Sequence, residues 1–553
     1  MENTNSKIVK NDTGPKKIHF IGIAGVLSSA LACALHKAGY KVTGSDKGFF
    51  PPASTQLENL GVPFYAGWHP EKMVEGGAPD IVVVATASGS QNPETLYAKE
   101  HGLNVCSYTD IIRDYIVAEN SIVVSGTWGK TTSSTLLTYI LEQAGKNPSY
   151  MFGGISLMHE SSAKILPEKE KINVNEGGTG KSHWSVLEGD EYKSGPNDPT
   201  PKFFYYNPTH LLLTAVSWDH ADLYPTENSY FAVFEKLIKD TVKRIEEKNG
   251  NAQNVNLAGG LIALCKDHHG LMNIVNKCPE VLKYAVFYGK SDPENTNQNV
   301  AQPLYTYSNI NQNTDGLTFN ITYKESTGDL KVIEVKSPML GAYNVENITG
   351  CFAVAHSIGI PADKVMQAIS TFKGMKRRLQ KRFEGENSGA GENITVIDDI
   401  AHSAEKATAV LGSLKEIYDY VIAVFEPNSG GRARESQGKY DNAFKSADEV
   451  IIPRLTKLKI ADGTEQAKQT TMPMDGAELA QVIAKTHANT KYIESDEALV
   501  KNLIETAKEK AKPKAGEKTN ANADSAGKKV VIAFLGSHGF RNMIEEVVEV
   551  MEK

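Results

Sequence analysis

The chain has 553 residues, 40% hydrophobic and 23% charged, a globular composition too long for one core. A formal net charge of −7 gives no whole-chain attraction for nucleic acid. Five scattered cysteines (Cys33, Cys106, Cys265, Cys278, Cys351) lack C-x-x-C spacing, which argues against a disulfide framework or structural zinc centre and for a reducing compartment.

Length suggests about three or four domains. Residues 1–15 are polar and read as a disordered leader; they have no apolar h-region and so no signal-peptide pattern. No apolar run approaches about 18 residues, so no membrane span and a cytoplasmic location are expected. A first domain, 16–118, opens with Ile18-His-Phe-Ile-Gly-Ile-Ala-Gly25, a strand entering a glycine turn, with a helix through Leu31, Ala34 and Leu35. Val42–Asp46 is a second strand with an acidic end. Asp46 lies 21 residues after Gly25, where a Rossmann unit keeps its ribose carboxylate. Ile81–Ala85 is apolar throughout and reads as a strand buried on both faces. The alternation predicts a parallel α/β sheet. The dinucleotide fingerprint is incomplete, because Ala24 and Leu27 stand where its second and third glycines belong. The residues support a domain that holds a ribose or diphosphate; an NAD-dependent oxidoreductase or a nucleotide-binding regulator stays open on this domain alone.

The second domain, 119–336, begins with the most informative stretch, Ser121-Ile-Val-Val-Ser-Gly-Thr-Trp-Gly-Lys-Thr-Thr132. A β-branched strand runs into a glycine turn and then a helix carrying Leu136, Leu137 and Ile140 on one face. Glycines admit an anion close to the backbone, and the N–H groups of the turn and helix start point at it. Lys130 can reach terminal phosphate oxygens, and the Thr131 hydroxyl is placed for Mg²⁺. Val124 stands where a full Walker motif has its first glycine, so an ordinary glycine-containing strand–helix loop also fits. Trp184–Glu188 is a short buried strand ending in the acids Glu188, Asp190 and Glu191, hard oxygen donors suited to Mg²⁺ or a solvated acidic loop. His210–Val216 is another buried strand, ending in Ser-Trp-Asp219-His220-Ala-Asp222. Acids and histidine at successive strand ends beside a phosphate loop converge on one crevice. Residues 159–182 and 245–256 read as surface insertions, and 317–335 as a hairpin.

The third domain, 337–553, has helices after Asn344 and Ala362 and a basic knot at Lys376-Arg377-Arg378. Strands follow at 394–398, 421–426, 450–453 and 530–535. Residues 507–529 are Lys/Ala-rich and are expected to form a flexible insertion.

Six co-linear motifs carry a resemblance over nearly the whole chain: Gly22-Ile-Ala-Gly25, Gly126–Thr132, Glu188–Tyr192, Asp219-His220-Ala-Asp222, Gly341–Asn347 and Asp398–His402. Together they resemble the Mur ligases, which build the peptide of peptidoglycan precursors. The family uses the shorter Gly-x-x-Gly-Lys-Thr loop. The resemblance implies three α/β domains: a Rossmann-like UDP-binding domain, a central P-loop ATPase-type domain and a C-terminal Rossmann-like domain. The chain looks most like the branch that joins UDP-N-acetylmuramate to the tripeptide L-alanyl-γ-D-glutamyl-meso-diaminopimelate, through Glu188–Tyr192, Phe425-Glu-Pro and the closing Gly-Ser-His-Gly-Phe. The branch that adds L-alanine is the alternative.

The implied chemistry is phosphorylation of the lactyl carboxylate by ATP, then attack of the amine on the acyl phosphate. By resemblance, ATP would be held by Gly126, Thr127, Trp128, Gly129, Lys130, Thr131 and Thr132, with Asn344, Arg378, Asp398 and His402. Lys130, Glu188 and His220 would be catalytic, and Thr131, Glu188 and His220 would hold Mg²⁺. Gly22, Ala24, Gly25 and Asp46 would shape the UDP-sugar site. The partners implied are the nucleotide sugar and a peptide or amino-acid amine. Three places depart from the family pattern: Trp128 and Tyr343 where histidine is usual, and Ser403-Ala404 where His-Pro is common. Some relatives carry a carbamylated lysine after the Asp-His motif; no equivalent is assigned among Glu235 and Lys236.

Overall fold

The structure, a computed structural model, describes residues 16–85, 89, 91–167, 183–195, 198–219, 223–250, 257–292, 305–325, 327–385, 393–456, 473–512 and 527–553. It divides into two units. The first is formed from Met1–Asn309, Phe319–Ser337 and Asn344–Phe372, the second from Ile310–Thr318, Pro338–Tyr343 and Lys373–Lys553.

In the first unit, the alternating apolar runs of the N-terminal segment form a parallel five-stranded sheet. Its strands are β1 (Lys17–Ile21), β2 (Lys41–Asp46), β3 (Phe64–Ala66), β4 (Ile81–Val84) and β5 (Val105–Ser107), in the order β3-β2-β1-β4-β5. The order reverses beside β1, the switch point at which open α/β sheets take ligands.

The second sheet has ten strands. They are β6 (Asn120–Ser125), β7 (Ser149–Met151), β8 (Ala163–Lys164), β9 (Trp184–Gly189), β12 (His210–Leu213), β13 (Leu261–Cys265), β14 (Ala285–Lys290), β15 (Tyr305–Asn313), β16 (Gly316–Lys324) and β17 (Leu330–Ser337). The order is β17-β16-β15-β14-β13-β12-β6-β9-β7-β8, and β10 (Lys193–Gly195) with β11 (Asp198–Pro201) makes a separate ribbon. The strands from β7 to β15 across β6 are parallel. β6 and β12 are buried along their whole length, as the unbroken apolar runs predict.

His210, on β12, is fully buried between β6 and β13; its Nδ1 lies 2.9 Å from Thr209 Oγ1. Burial holds its imidazole down at about 3. The unfolded chain therefore takes up a proton near pH ~6.5 that the folded chain refuses until near its own lower value. The stability this neutral histidine supports is complete above pH ~6.5 and is lost at about 1.4 kcal/mol per pH unit as the pH falls below it. Urea unfolding across that window should show this slope, and a His210→Gln chain should lose that component of it; an unchanged slope would refute the assignment.

Helices Asn344–Ser357 and Ala362–Thr371 belong to the first unit, although the sequence places the third domain's start at 337. The reason is their apolar surface. Ile348, Cys351 and Phe352 are fully buried, Cys351 donates to Ser133 O at 3.4 Å, and the Tyr139 hydroxyl lies 3.1 Å from Thr371 Oγ1.

The second unit holds a six-stranded sheet, β18 (Gln380–Glu384), β19 (Ile394–Asp399), β20 (Tyr420–Glu426), β21 (Glu449–Pro453), β22 (Thr490–Ile493) and β23 (Val530–Gly536), in the order β18-β19-β23-β20-β21-β22. Only β18 runs antiparallel. Within this unit Gln312 accepts from Gly341 N at 2.6 Å and donates to Ser413 O at 3.2 Å, so the hairpin tip and the 338–343 segment are tied to its body.

Two expected insertions are shorter than the sequence suggests. The helix Asp496–Ala511 runs through the start of the 507–529 stretch and buries Ala507 completely. The helix Glu227–Asn249 runs through the start of 245–256 and buries Ile245. In both, small or lone apolar residues sit at helical spacing from a buried stripe, which composition alone does not reveal. In the 159–182 stretch, Ala163–Lys164 forms β8. The remaining residues 168–182, 251–256 and 513–526 lie outside the described set. Among the described residues no helix is long and apolar enough to cross a membrane.

Candidate active site

β6 delivers the chain into a loop that needs its two glycines. Gly126 has φ +132° and Gly129 φ +80°. A Cβ on Gly126 would stand 2.6 Å from Ala215 O, and one on Gly129 2.2 Å from Asn347 Oδ1. The loop then opens the helix Lys130–Gln143, whose free first-turn N–H groups face the loop end. The loop is fastened to the segment after β12. Thr127 N donates to Ala215 O at 2.7 Å, Thr127 Oγ1 donates to Ser217 O and accepts from Ser217 N, both at 2.9 Å, and Thr214 Oγ1 donates to Trp128 O. Trp128 thus contributes a fixed carbonyl while its indole is 58% exposed.

Thr214 is 2% exposed and its hydroxyl also reaches Ser125 O at 3.3 Å. Thr214→Val keeps the shape and removes the clasp. It should cost about 1 kcal/mol in urea unfolding and weaken ATP-analogue binding severalfold. Full retention of analogue affinity would show that the clasp does not set the loop.

β9, beside β6, brings the acids to the same end of the sheet. Glu188 Oε1 accepts from the Thr131 hydroxyl at 2.7 Å, and its other oxygen accepts from Gly153 N. Burial first, and then the neighbouring Asp190, hold the Glu188 carboxyl above its usual range. Lys130 Nζ donates to Gly126 O at 2.6 Å and to Glu191 Oε2 at 3.1 Å, and Glu191 is almost wholly buried. Asp190 pairs with Lys202 at 3.0 Å. Thr131 and Glu188 form an oxygen-only donor set beside the loop, the chemistry a small hard dication takes. His220, expected as a further ligand, lies outside the described residues together with Asp222.

The Asn344–Ser357 helix brings Asn344 into this unit, its Oδ1 accepting from Asn347 Nδ2 at 3.0 Å. At the end of β2, Asp46 Oδ2 accepts from Ala24 N at 2.9 Å, while Gly22 N donates to Ser45 O at 2.8 Å. Gly22 takes φ +89° and Gly25 N-caps the first helix, Val26–Lys37. The expected UDP-site residues therefore form one turn, but Asp46 is already a ligand of that turn's backbone. Thr132 lies in the first turn of the loop helix.

Arg378, Asp398 and His402 belong to the second unit. Asp398 is buried and accepts from Arg377 at 3.3 Å and Arg382 at 3.4 Å, while Arg377 also donates to Ser537 O and His538 O. His402 Nδ1 lies 2.7 Å from Ile400 O, and burial pulls its imidazole down. Lys236 pairs with Asp240 and Lys239 with Glu235 on one helix, which accounts for the lysine–glutamate cluster after the Asp-His motif as i,i+4 pairs.

Sequence reading missed two residues that shape the loop and the partner of a third. Glu191 reads as one of the acids suited to Mg²⁺, but nothing in that run says that it is the acid that meets the lysine. Asn347 lies inside a quoted motif, yet its contact with Gly129 exists only after folding. Thr214 has no local signal.

Three family models match the chain: the Mur ligase family catalytic domain over 17–118, the Mur ligase middle domain over 124–355, and the Mur ligase glutamate ligase domain over 381–512. The chain belongs to the Mur ligase family, and it is an ATP-dependent acid–amino-acid ligase. The oxidoreductase alternative falls with this assignment.

Among relatives, it is 28% identical over 461 residues to the UDP-N-acetylmuramate–L-alanyl-γ-D-glutamyl-meso-2,6-diaminoheptandioate ligase of Haemophilus influenzae, covering 82% of this chain and 89% of that protein. It is also 28% identical over 444 residues to the UDP-N-acetylmuramate–L-alanine ligase of Caulobacter sp. strain K31, covering 80% and 81%. In fold it is similar to the UDP-N-acetylmuramate-alanine ligase of Thermotoga maritima (TM-score 0.64, 20% identity, 97% of this chain and 99% of that one). It is likewise similar to the murein peptide ligase of Psychrobacter arcticus (TM-score 0.59, 22% identity, 97% and 98%).

Proposed function

We propose that this ligase joins the lactyl carboxylate of UDP-N-acetylmuramate to the amine of L-alanyl-γ-D-glutamyl-meso-diaminopimelate. The observation that supports the ATP half is the pinned loop with Lys130 at its end and Thr131 bonded to Glu188. The tripeptide is favoured by Glu188–Tyr192, Phe425-Glu-Pro and the closing Gly-Ser-His-Gly-Phe, and by the Haemophilus influenzae relative. L-Alanine as the amine is the second reading, which the Caulobacter relative favours equally by identity.

In this reading the loop N–H groups and the helix start receive the phosphates. Lys130 moves from Glu191 to the β/γ-phosphate oxygens and neutralises charge developing in phosphoryl transfer. Thr131 and Glu188 would hold Mg²⁺, which when bound supplies charge neutralisation at the phosphates. Asn344 presents its amide beside the loop for the adenine edge. The turn formed by Gly22, Ala24 and Gly25, braced by Asp46 through Ala24 N, would shape the site for the UDP moiety.

The deciding assay is phosphate release from ATP, Mg²⁺ and UDP-N-acetylmuramate with either amine. Tripeptide should support a kcat/KM at least about tenfold above that of L-alanine, a difference of ~1.4 kcal/mol in transition-state binding. Preference for L-alanine would overturn the tripeptide assignment and leave the ligase class intact.

A further inference from the structure

A side-chain cluster outside the loop carries a separate chemistry. β13 ends at Cys265, and three residues later the chain reaches His268, the N-cap residue of the helix His269–Lys277. Glu346 reaches the same spot from the first turn of the Asn344–Ser357 helix. His268 Nε2 lies 2.8 Å from a Glu346 oxygen. One thiol sulfur, one imidazole nitrogen and one carboxylate oxygen all lie within 4.8 Å of one another. Cys265 is fully buried, while the His268 and Glu346 side chains are 25% and 22% exposed, so the group has a closed back and an open front.

The bland alternative is a histidine–glutamate hydrogen bond that happens to lie over a cysteine. Against it stands the mixture of donors. A sulfur, a nitrogen and an oxygen gathered from two separate segments match the ligand types of zinc sites, at mutual distances a tetrahedral ion can span with little adjustment. The spacing Cys-x-x-His with a remote acid is not the C-x-x-C pattern of a closed structural centre, which is why the cysteine distribution gave no sign of it.

We propose that Cys265, His268 and Glu346 form a binding site for a borderline-soft divalent transition-metal ion of the Zn²⁺ class. Three protein donors leave a tetrahedral ion one open position for water or an exchangeable ligand. Sulfur disfavours Mg²⁺, so this site is chemically distinct from the oxygen donors Thr131 and Glu188. Binding replaces the Cys265 S–H bond by a metal–thiolate bond, and the thiol proton goes to solvent. The ion would tie the end of β13 to the helix that carries Asn344 and, through Asn347, abuts the glycine loop. Occupancy is thereby placed to affect nucleotide binding.

The test uses the full-length protein after chelator treatment and gel filtration. Zn²⁺ alone is titrated against a chromogenic chelator, and Co²⁺ alone is followed by absorption. Wild type should take up a single equivalent of Zn²⁺ in competition. Its Co²⁺ form should show a thiolate charge-transfer band with the strong visible absorption of a tetrahedral site. Cys265→Ser should lose the charge-transfer band. His268→Gln and Glu346→Gln, which preserve side-chain volume, should each weaken Zn²⁺ by at least about a hundredfold, the upper end of what losing an outer partner alone costs. Thermal unfolding of each metal-free variant shows whether it is folded, and any folded member of the three suffices for the comparison. Absence of stoichiometric uptake by wild type, or a folded ligand variant that binds as wild type does, overturns the site.

Discussion

Lys130→Ala should lower amine-dependent phosphate release by on the order of 10³-fold while leaving UDP-N-acetylmuramate binding within about twofold of wild type. The ammonium stands at the loop end, 2.6 Å from Gly126 O, and no other lysine or arginine in the described loop shares its position. The first sheet's turn, where the nucleotide sugar is proposed to bind, shares no side chain with it. The substitution has a second effect. Glu191, 1% exposed, loses its cation, and stranding one member of such a buried pair costs about 3–5 kcal/mol. Lys130→Ala and Lys130→Ala/Glu191→Gln should therefore differ in urea unfolding, with the double variant recovering most of the stability and none of the activity. Calorimetry with the nucleotide sugar, phosphate release and unfolding of the two variants separate charge neutralisation from folding. Activity returning in the double variant would mean that Lys130 serves only the fold.

Gly129→Ala should weaken ATP-analogue binding by at least about tenfold and destabilise the first unit by roughly 2 kcal/mol. Two costs combine. At φ +80° an alanine occupies the left-handed region, worth about 1–2 kcal/mol by itself. Its Cβ would also stand 2.2 Å from Asn347 Oδ1, closer than any contact allows. Asn347 is 7% exposed and bonded to Asn344, so it has little room to yield, and displacing it would disturb Asn344, the proposed adenine contact. Asn347→Ala added to Gly129→Ala should recover the contact cost and leave the backbone cost. Equilibrium unfolding and analogue titration of the pair measure each part. Full recovery would show that the left-handed geometry contributes nothing, and no recovery that the Asn347 contact contributes nothing.

Much of the central architecture was legible in the chain itself. The apolar runs of β6, β9 and β12 announced strands, two of them read as buried, and all three are buried in the sheet. The glycine–lysine–threonine turn announced a phosphate loop, because only glycine tolerates the backbone angles and close approach such a loop requires. The acids after Glu188 stood at a strand end and could be assigned to the same crevice by parallel topology alone. The insertions were less legible. Lys/Ala-rich sequence reads as loop until a neighbouring element supplies a surface for Ala507 and its helix to cover.

Strands, turns and the glycine loop were determined by local pattern, since alternation, glycine placement and β-branching act over a few residues. Pairings were decided only by tertiary structure: Lys130 with Glu191, Gly129 against Asn347, the Trp128 carbonyl on Thr214, and Cys265 with His268 and Glu346. So was the placement of the Asn344–Ser357 helix in the first unit. The physical reason is that a contact between residues 61, 86 or 218 apart leaves no periodic trace in either segment. It exists only once burial of the intervening apolar surface has fixed both ends, and the chemistry of this loop is set by such contacts.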